Sequence, residues 1–310
     1  MTLVLVAVGS TLMYASPLMY AALGGVISER SGVINIGLEG MMTIGACVAV
    51  IFGYYTGNPM LGFFMGGVAG ASLALLHAAA SVSLRANQVV SGIALNFLGT
   101  GFALFLARLY FAGATQTPPV PNKMPKVLSG LFVNASDNVT LAFNQDAAVL
   151  MAFATVAIMF VVLYRTKWGL RIRAVGEHPA AAETSGINVY RIRYICVILS
   201  GFLAGLGGAT MTLSVVSNFS HMIISGHGFI ALAAVIFGRW TPHGAMGACL
   251  LFGFAQVMVV ILGGGVLTMI DSKILAMIPY ILTLVVLIVM REKSIAPKAD
   301  GIPYERGSTV

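Results

Sequence analysis

One carboxylate, Glu39, lies within an apolar part of the sequence, with Gly37 and Gly40 close to it. A charged side chain at the centre of a bilayer costs roughly 2.5–3.5 kcal/mol on insertion scales, so such residues usually have a function or a fixed partner. The glycines leave room for the carboxylate to meet backbone amides or a water-filled cavity. We predict that Glu39 and the nearby Asn35 belong to a substrate pathway. The alternative is a structural hydrogen bond that fixes a broken helix.

Two amide side chains recur at helical spacing further along, where Gln88, Gly92 and Asn96 stand at positions i, i+4 and i+8. This spacing places polar and small groups on one face of a helix. Amides bond hydroxyls and heterocycle edges without burying a charge. We therefore predict that Gln88 and Asn96 belong to the same pathway. Interhelical hydrogen bonds that hold a helix bundle together are the alternative.

His227, between two glycines, is a further pathway candidate, and a locally bonded turn residue is the alternative. His77 falls near the predicted aqueous end of an apolar stretch, and we assign it no role. The sequence has no phosphate-binding loop of the G-x-x-x-x-G-K-S/T type, no Ser/His/Asp arrangement and no His/Cys cluster at metal-ligand spacing. It therefore predicts no catalytic residue, no metal and no cofactor, and an ATP-driven role would need a separate ATPase.

The composition explains where these polar residues must lie. The 310 residues are 58% hydrophobic and 9% charged, and their mean hydropathy is +0.94. A soluble domain usually carries roughly 25% charged residues. Apolar runs of about 20 residues recur, which is enough for a helix to cross a bilayer. The sequence predicts an all-α polytopic membrane protein, and its 36 glycines favour close helix packing and broken or re-entrant segments.

About nine crossings are predicted, in one transmembrane domain over residues 1–310. A first half (1–112) is followed by an extracytoplasmic loop (113–146), a second half (147–290) and a cytoplasmic tail (291–310). The crossings span approximately residues 3–27, 32–53, 60–84, 88–111, 147–164, 194–216, 225–238, 244–262 and 273–290.

The distribution of basic residues sets the orientation. The net charge is +7, and most of the 17 Lys and Arg residues fall on one side of the membrane if the crossings alternate. Cytoplasmic loops carry the excess of Lys and Arg. The N-terminus is therefore predicted outside and the C-terminus inside the cell membrane. This bias accounts for the positive charge, so we do not predict nucleic-acid binding.

A weak internal repeat relates residues 32–41 to residues 222–230, since in both a glycine-punctuated polar segment leads into an apolar run. The first enters the membrane from the inside and the second from the outside, so the two copies would be inverted. Inverted repeats with broken helices mark the substrate route in many transporters.

The most basic stretch, residues 165–193, contains a short segment with helix signals at both ends. Pro179 suits the first position of a helix, and Gly186 suits the left-handed residue just past its end. A helix of about two turns is marginal alone, because roughly 12–15 residues are usually needed in water. We predict a small cytoplasmic helix that docks on a partner.

Several segments resemble the permeases of ATP-binding-cassette (ABC) importers, namely residues 31–42, 176–187, 191–193, 200–208 and 228–238. The resemblance covers roughly residues 10 to 290 and is to the group that carries ribose-like sugars, branched-chain amino acids and nucleosides. Within that group the chain is most similar to the nucleoside, guanosine-type branch. His178 is a departure, since a small polar residue such as Asn is common at this position in the family.

The resemblance implies a heterodimer with a second, paralogous permease, two ATPase subunits, an extracytoplasmic substrate-binding protein and surrounding membrane lipid. It also implies that the coupling segment, residues 176–187, sits in a cleft of the ATPase. The candidate coupling residues are Gly176, Glu177, His178, Pro179, Ala180, Ala181, Thr184 and Gly186.

The sequence thus favours a nucleoside importer permease that is not itself an enzyme. A permease for ribose, another simple sugar or a branched-chain amino acid is the alternative within the same class, because Asn and Gln suit sugar hydroxyls as well as bases. An ion-coupled secondary transporter, with Glu39 and His227 as a proton pair, is the alternative from another class. It leaves the docking helix unexplained.

Overall fold

The structure is a computed structural model that describes residues 2–127, 140, 143–263, 277–290 and 296–306, and most of these residues are helical. Residues 264–276, which include the start of the ninth predicted crossing (273–290), lie outside this description, and so do residues 128–139 and 141–142 of the predicted extracytoplasmic loop (113–146). The helices are α1 (Thr2–Arg30), α2 (Leu38–Thr56), α3 (Pro59–Ala78), α4 (Gln88–Tyr110), α5 (Ala147–Arg165), α6 (Lys167–Glu177), α7 (Pro179–Thr184), α8 (Val189–Thr210), α9 (His227–Phe237), α10 (Pro242–Ile261) and α11 (Ile278–Met290).

Seven of these helices are long and apolar enough to cross a membrane: α1, α2, α3, α4, α5, α8 and α10. The helices α3 and α8 each continue into one π-helical turn, Ala79–Ser83 and Met211–Val215. The 11 residues of α9 reach only about 16 Å at 1.5 Å per residue, roughly half of a bilayer core. The all-α polytopic fold is confirmed, and the seventh predicted crossing is a half-length helix.

The second crossing was predicted to begin at Gly32, but α2 begins at Leu38. Gly32 has φ +85°, and its amide donates to Glu29 O while the Val33 amide donates to Ser28 O. These bonds end α1 in a left-handed turn. Residues 31–37, the broken segment, therefore connect α1 and α2 without a helical hydrogen-bond ladder.

Close packing at glycines joins the two halves of the chain. Gly45 of α2, Gly66 of α3 and Gly205 of α8 meet at one point. A Cβ atom on Gly45 would lie 2.5 Å from the Gly205 Cα, and one on Gly66 would lie 2.7 Å from the Gly45 carbonyl oxygen. Only glycine permits backbones to approach so closely.

The two halves repeat one order of elements. In the first, α1 leads through the broken segment into α2, and Asn58 caps α3 ahead of Pro59. In the second, α8 leads through residues 216–226 into α9, and Thr241 caps α10 ahead of Pro242. The repeat of residues 32–41 and 222–230, and the inverted relation between its copies, stay predictions.

Candidate functional site

Side chains of α3 and α4 bond the backbone of the broken segment. The Ile34 amide donates to Gln88 Oε1 at 2.8 Å, and Asn96 Nδ2 donates to the Ile36 carbonyl oxygen at 3.0 Å. His77 Nε2 lies 3.0 Å from the Ile34 carbonyl oxygen. Inside a membrane a non-helical backbone must find such partners within the protein. These three side chains replace part of the missing ladder.

The predicted polar face of α4 packs against the broken segment and α2. A Cβ atom on Gly92 would lie 3.0 Å from the Gly37 nitrogen, and one on Gly99 would lie 2.5 Å from the Gly40 carbonyl oxygen. Asn96 Oδ1 also accepts from the Gly40 amide at 2.9 Å. The contacts favour the interhelical interpretation of this face. The pathway roles of Gln88 and Asn96 stay predictions.

Asn35 is fully buried inside the broken segment. Its Nδ2 donates to Ser200 Oγ of α8 at 2.9 Å, and its Oδ1 accepts from the Gly37 amide at 3.1 Å. The side chain therefore ties the broken segment of the first half to α8 of the second half. Its pathway role also stays a prediction.

His77 is a residue that the sequence analysis missed, because we placed it near an aqueous end with no role. Its side chain is fully buried, and its Nδ1 lies 3.0 Å from Ser91 Oγ on α4. One ring nitrogen therefore faces α4 and the other faces the broken segment. A histidine on an apolar helix with no neighbouring charge was the available signal, since a buried imidazole needs hydrogen-bond partners.

The carboxylate of Glu39 lies against the start of α9. Its Oε1 accepts from the Gly226 amide at 2.7 Å, and its Oε2 accepts from the Gly228 amide at 2.6 Å. The first amides of a helix lack helical partners and carry a partial positive charge, which favours an anion there. The two non-helical segments, one from each half, are thus joined through Glu39. These bonds have the structural role that the sequence analysis kept as the alternative, and the pathway role of Glu39 stays a prediction.

His227 is the first residue of α9 and is half-buried. Its Nδ1 lies 3.1 Å from the Ile224 carbonyl oxygen. Gly226, which precedes it, has φ +87° and turns the chain into the helix. The structure therefore brings His227 and Glu39 to the same end of α9.

The predicted short helix is present as α7, and it ends at Gly186 with φ +81°. The Gly186 amide donates to Glu183 O at 2.8 Å, and the Ile187 amide donates to Ala182 O at 3.1 Å. This pattern of bonds closes a helix at a left-handed glycine. Both sequence signals, Pro179 and Gly186, stand at the predicted ends.

The coupling candidates divide by exposure. Four of them are exposed, namely His178, Ala181, Thr184 and Gly186. Three are half-buried, namely Glu177, Pro179 and Ala180. Gly176 is buried, and a Cβ atom there would collide with the carbonyl oxygen of Arg30 at the end of α1. Gly176 therefore packs the segment onto the membrane helices, and α7 presents the accessible side chains.

The described residues hold no group of three or more His, Cys, Asp or Glu side chains that could bind a metal ion. The three cysteines of the chain are all buried.

Comparison with known proteins agrees with this picture. A family model described as the branched-chain amino acid transport system permease component matches residues 7–290. No solved structure matches the chain.

Three named relatives are similar over most of their length. The guanosine ABC transporter permease protein NupQ of Bacillus subtilis is 45% identical, over 97% of this chain and 96% of its own. The nucleoside ABC transporter permease protein NupC of Lactococcus lactis is 41% identical, over 96% of each chain. A putative glucose ABC transporter permease of Haloferax volcanii is 34% identical, over 90% of this chain and 89% of its own.

The resemblance inferred from the sequence motifs is confirmed by these matches. Residues 7–290 take in the broken segment, Glu39, α7 and the start of α9. The chain belongs to the family of permease components of branched-chain amino acid transport systems.

Proposed function

We propose that this chain is the permease subunit of an ABC importer that carries nucleosides across the cell membrane. The observation that carries the proposal is the similarity, over nearly the full length, to permeases named for guanosine and for nucleosides. The chain itself performs no chemistry. It supplies a route with two accessible states, and only a difference in interaction energy between those states can drive the change.

The exposed face of α7 supports docking of a separate ATPase subunit. His178, Ala181 and Thr184 are accessible there, while Ala182 is buried and anchors the helix. Because Gly176 lies against the backbone at the end of α1, displacement of α7 by the ATPase would also displace α1.

The positions of charged residues support an N-terminus outside and a C-terminus in the cytoplasm. Arg30 Nε donates to the Trp240 carbonyl oxygen at 2.8 Å, and Gly176 lies against the backbone of Arg30. The connection between α1 and α2 and the connection between α9 and α10 therefore lie on the same side of the protein as the coupling segment. Arg108 lies in the last turn of α4, at the opposite end of that helix from Gln88. Basic residues concentrate on the cytoplasmic side of membrane proteins.

The region where Glu39 meets α9 is the proposed part of the substrate route in this subunit. Glu39, Asn96 and His227 are half-buried, so each keeps some accessible surface. Asn35 and Gln88 are buried and would act on the route by holding the broken segment in place. The second, paralogous permease would complete the route, and a substrate-binding protein would deliver the nucleoside from outside.

A sugar permease is the second candidate, because the Haloferax relative is named for glucose. An ion-coupled secondary transporter is the third. It requires proton exchange between Glu39 and His227, whereas the carboxylate bonds backbone amides and the imidazole faces the Ile224 carbonyl oxygen.

Uptake of labelled guanosine and adenosine into cells with and without this chain tests the proposal. We expect ATP-dependent uptake that unlabelled nucleosides inhibit and that ribose and glucose leave unchanged. Inhibition by a sugar alone would establish the second candidate. Uptake that collapses with an uncoupler while ATP is held constant would establish the third.

A further inference from the structure

The C-terminal strap, residues 296–306, packs across the coupling segment. The Ala299 amide donates to the Gly176 carbonyl oxygen at 2.9 Å. Ala299 and Tyr304 are both buried. The strap is therefore part of the packed protein on the side of the membrane that carries α7.

A buried arginine of α8 depends on this strap. Arg193 is 1% exposed. Its Nη1 donates to the Ile302 carbonyl oxygen at 3.0 Å, and its guanidinium carbon lies 5.9 Å from the Tyr304 ring centre. The strap also provides Asp300, which interacts electrostatically with this guanidinium. A buried cation is costly without such partners, so Arg193 favours the docked position of the strap.

Both carboxylate oxygens of Glu183, on α7, are held by the strap. Tyr304 donates its hydroxyl to Glu183 Oε2, and Arg306 Nε lies 2.9 Å from Glu183 Oε1. Glu183 is therefore occupied from the side of the strap, and the exposed residues of α7 remain free for a partner.

Glu305, which lies between Tyr304 and Arg306 in the sequence, contacts the first half of the chain instead. Glu305 Oε1 lies 2.7 Å from Nη1 of Arg85, in the connection between α3 and α4. Alternation of contacts along Tyr304, Glu305 and Arg306 is what an extended chain produces, because successive side chains point in opposite directions.

We propose that the strap ties α7 to the connection between α3 and α4, so that displacement of the coupling segment reaches the first half directly. Glu183 is the positioning residue at one end, and Arg85 is its counterpart at the other. This inference rests on the proposed function, because it gives the strap a role in ATP-driven transport. Each exposed ion pair is weak alone, so the buried Tyr304 and Arg193 hold the strap and the ion pairs set its position.

The test uses the complete transporter, with its ATPase, second permease and binding protein, in proteoliposomes. The measured quantity is the number of ATP molecules hydrolysed per guanosine imported. We expect Glu183→Arg, Arg306→Glu and Arg85→Glu each to raise this ratio about threefold in complexes that still assemble. The Arg85→Glu/Glu305→Arg exchange restores the wild-type ratio, because the pair is re-formed with opposite polarity. The Glu183→Arg/Arg306→Glu exchange lowers the ratio to that of Tyr304→Phe, because the ion pair is re-formed but an arginine at position 183 cannot accept from the Tyr304 hydroxyl.

Two further variants separate the strap from general effects of charge and folding. Lys298→Glu makes the same change from a positive to a negative charge as Arg306→Glu, at an exposed residue of the strap. It should keep the wild-type ratio. Tyr304→Phe removes only the hydroxyl and should raise the ratio less than Glu183→Arg does.

Unchanged ratios in the single variants would overturn the inference, and so would exchanges as poorly coupled as the single variants. An effect of Glu183→Arg without one of Arg85→Glu would overturn the link to the first half. A wild-type complex without ATP-dependent nucleoside uptake would overturn the proposed function instead, so the two failures are distinguishable.

Discussion

Gly228 donates its amide to Glu39 Oε2 at 2.6 Å, and a Cβ atom on Gly228 would lie 2.6 Å from the Glu39 Cα. The same short approach thus makes the hydrogen bond and excludes every side chain larger than hydrogen. The start of α9 and the start of α2 are fixed to each other at this contact.

Gly228→Ala should therefore displace α9 from Glu39. We expect a loss of about 1–3 kcal/mol of stability, as for other overpacked sites, together with reduced uptake. Thermal unfolding of the purified protein in detergent measures the first effect. Gly247→Ala on α10 is the control, because a Cβ atom there meets nothing within 4 Å. Equal unfolding temperatures for the two variants would contradict the packing argument.

Glu39→Gln keeps the size of the side chain but replaces one acceptor oxygen by a donor. The new amide group would face a backbone N–H, and leaving a buried group without a partner costs about 1–3 kcal/mol. We expect slower nucleoside uptake by a complex that still contains the ATPase, as co-purification will show. If the variant only lowers expression, Glu39 has a structural role alone.

Gly186→Pro should uncouple ATP hydrolysis from uptake without preventing membrane insertion. Proline fixes φ near −65° and has no N–H, whereas Gly186 has φ +81° and donates to Glu183 O. Gly186→Asn is the matched control, because Asn tolerates the left-handed region and a side chain there has open space. A normal uptake rate in the proline variant would count against docking at α7.

Docking of the strap should weaken as the pH rises. Burial raises the pKa of the Asp300 carboxyl to about 7, although the Arg193 guanidinium beside it lowers this pKa. Between about pH 4 and pH 7 the docked strap binds a proton that the undocked strap does not, so the stabilisation is complete at low pH and is lost as the pH passes 7.

The Ala299 amide reports this docking through its bond to Gly176. Its hydrogen-exchange protection factor, corrected for the intrinsic pH dependence, should be several-fold lower at about pH 8 than at about pH 5.5. Asp300→Asn should reduce the difference, and the part that remains reports the Glu29 carboxylate, which interacts electrostatically with Asp300. A wild-type protection factor that rises with pH would refute the assignment.

The sequence predicted the features that local patterns determine. Hydropathy indicated the membrane helices, and Pro179 with Gly186 marked both ends of α7. Helical spacing identified the face that carries Gln88 and Asn96. What that face contacts was not predictable, because its partner is the broken segment of a different helix pair.

Long-range partners explain the remaining differences. Glu39 was recognised as unusual, but its partners, Gly226 and Gly228, are nearly two hundred positions away in the sequence. The strap was predicted only as part of a cytoplasmic tail, since its polar residues have no periodicity. The available signal was Arg193, a cation at the start of an apolar span that needed partners from elsewhere.

The meeting of Gly45, Gly66 and Gly205 limits how this protein can move. Sliding α3 along α8 by a single residue would press a side chain into a neighbouring backbone, so we expect these helices to travel as one body through the transport cycle. Opening and closing must then occur around that body, by tilting of the half-length helix and of the elements beside the non-helical segments.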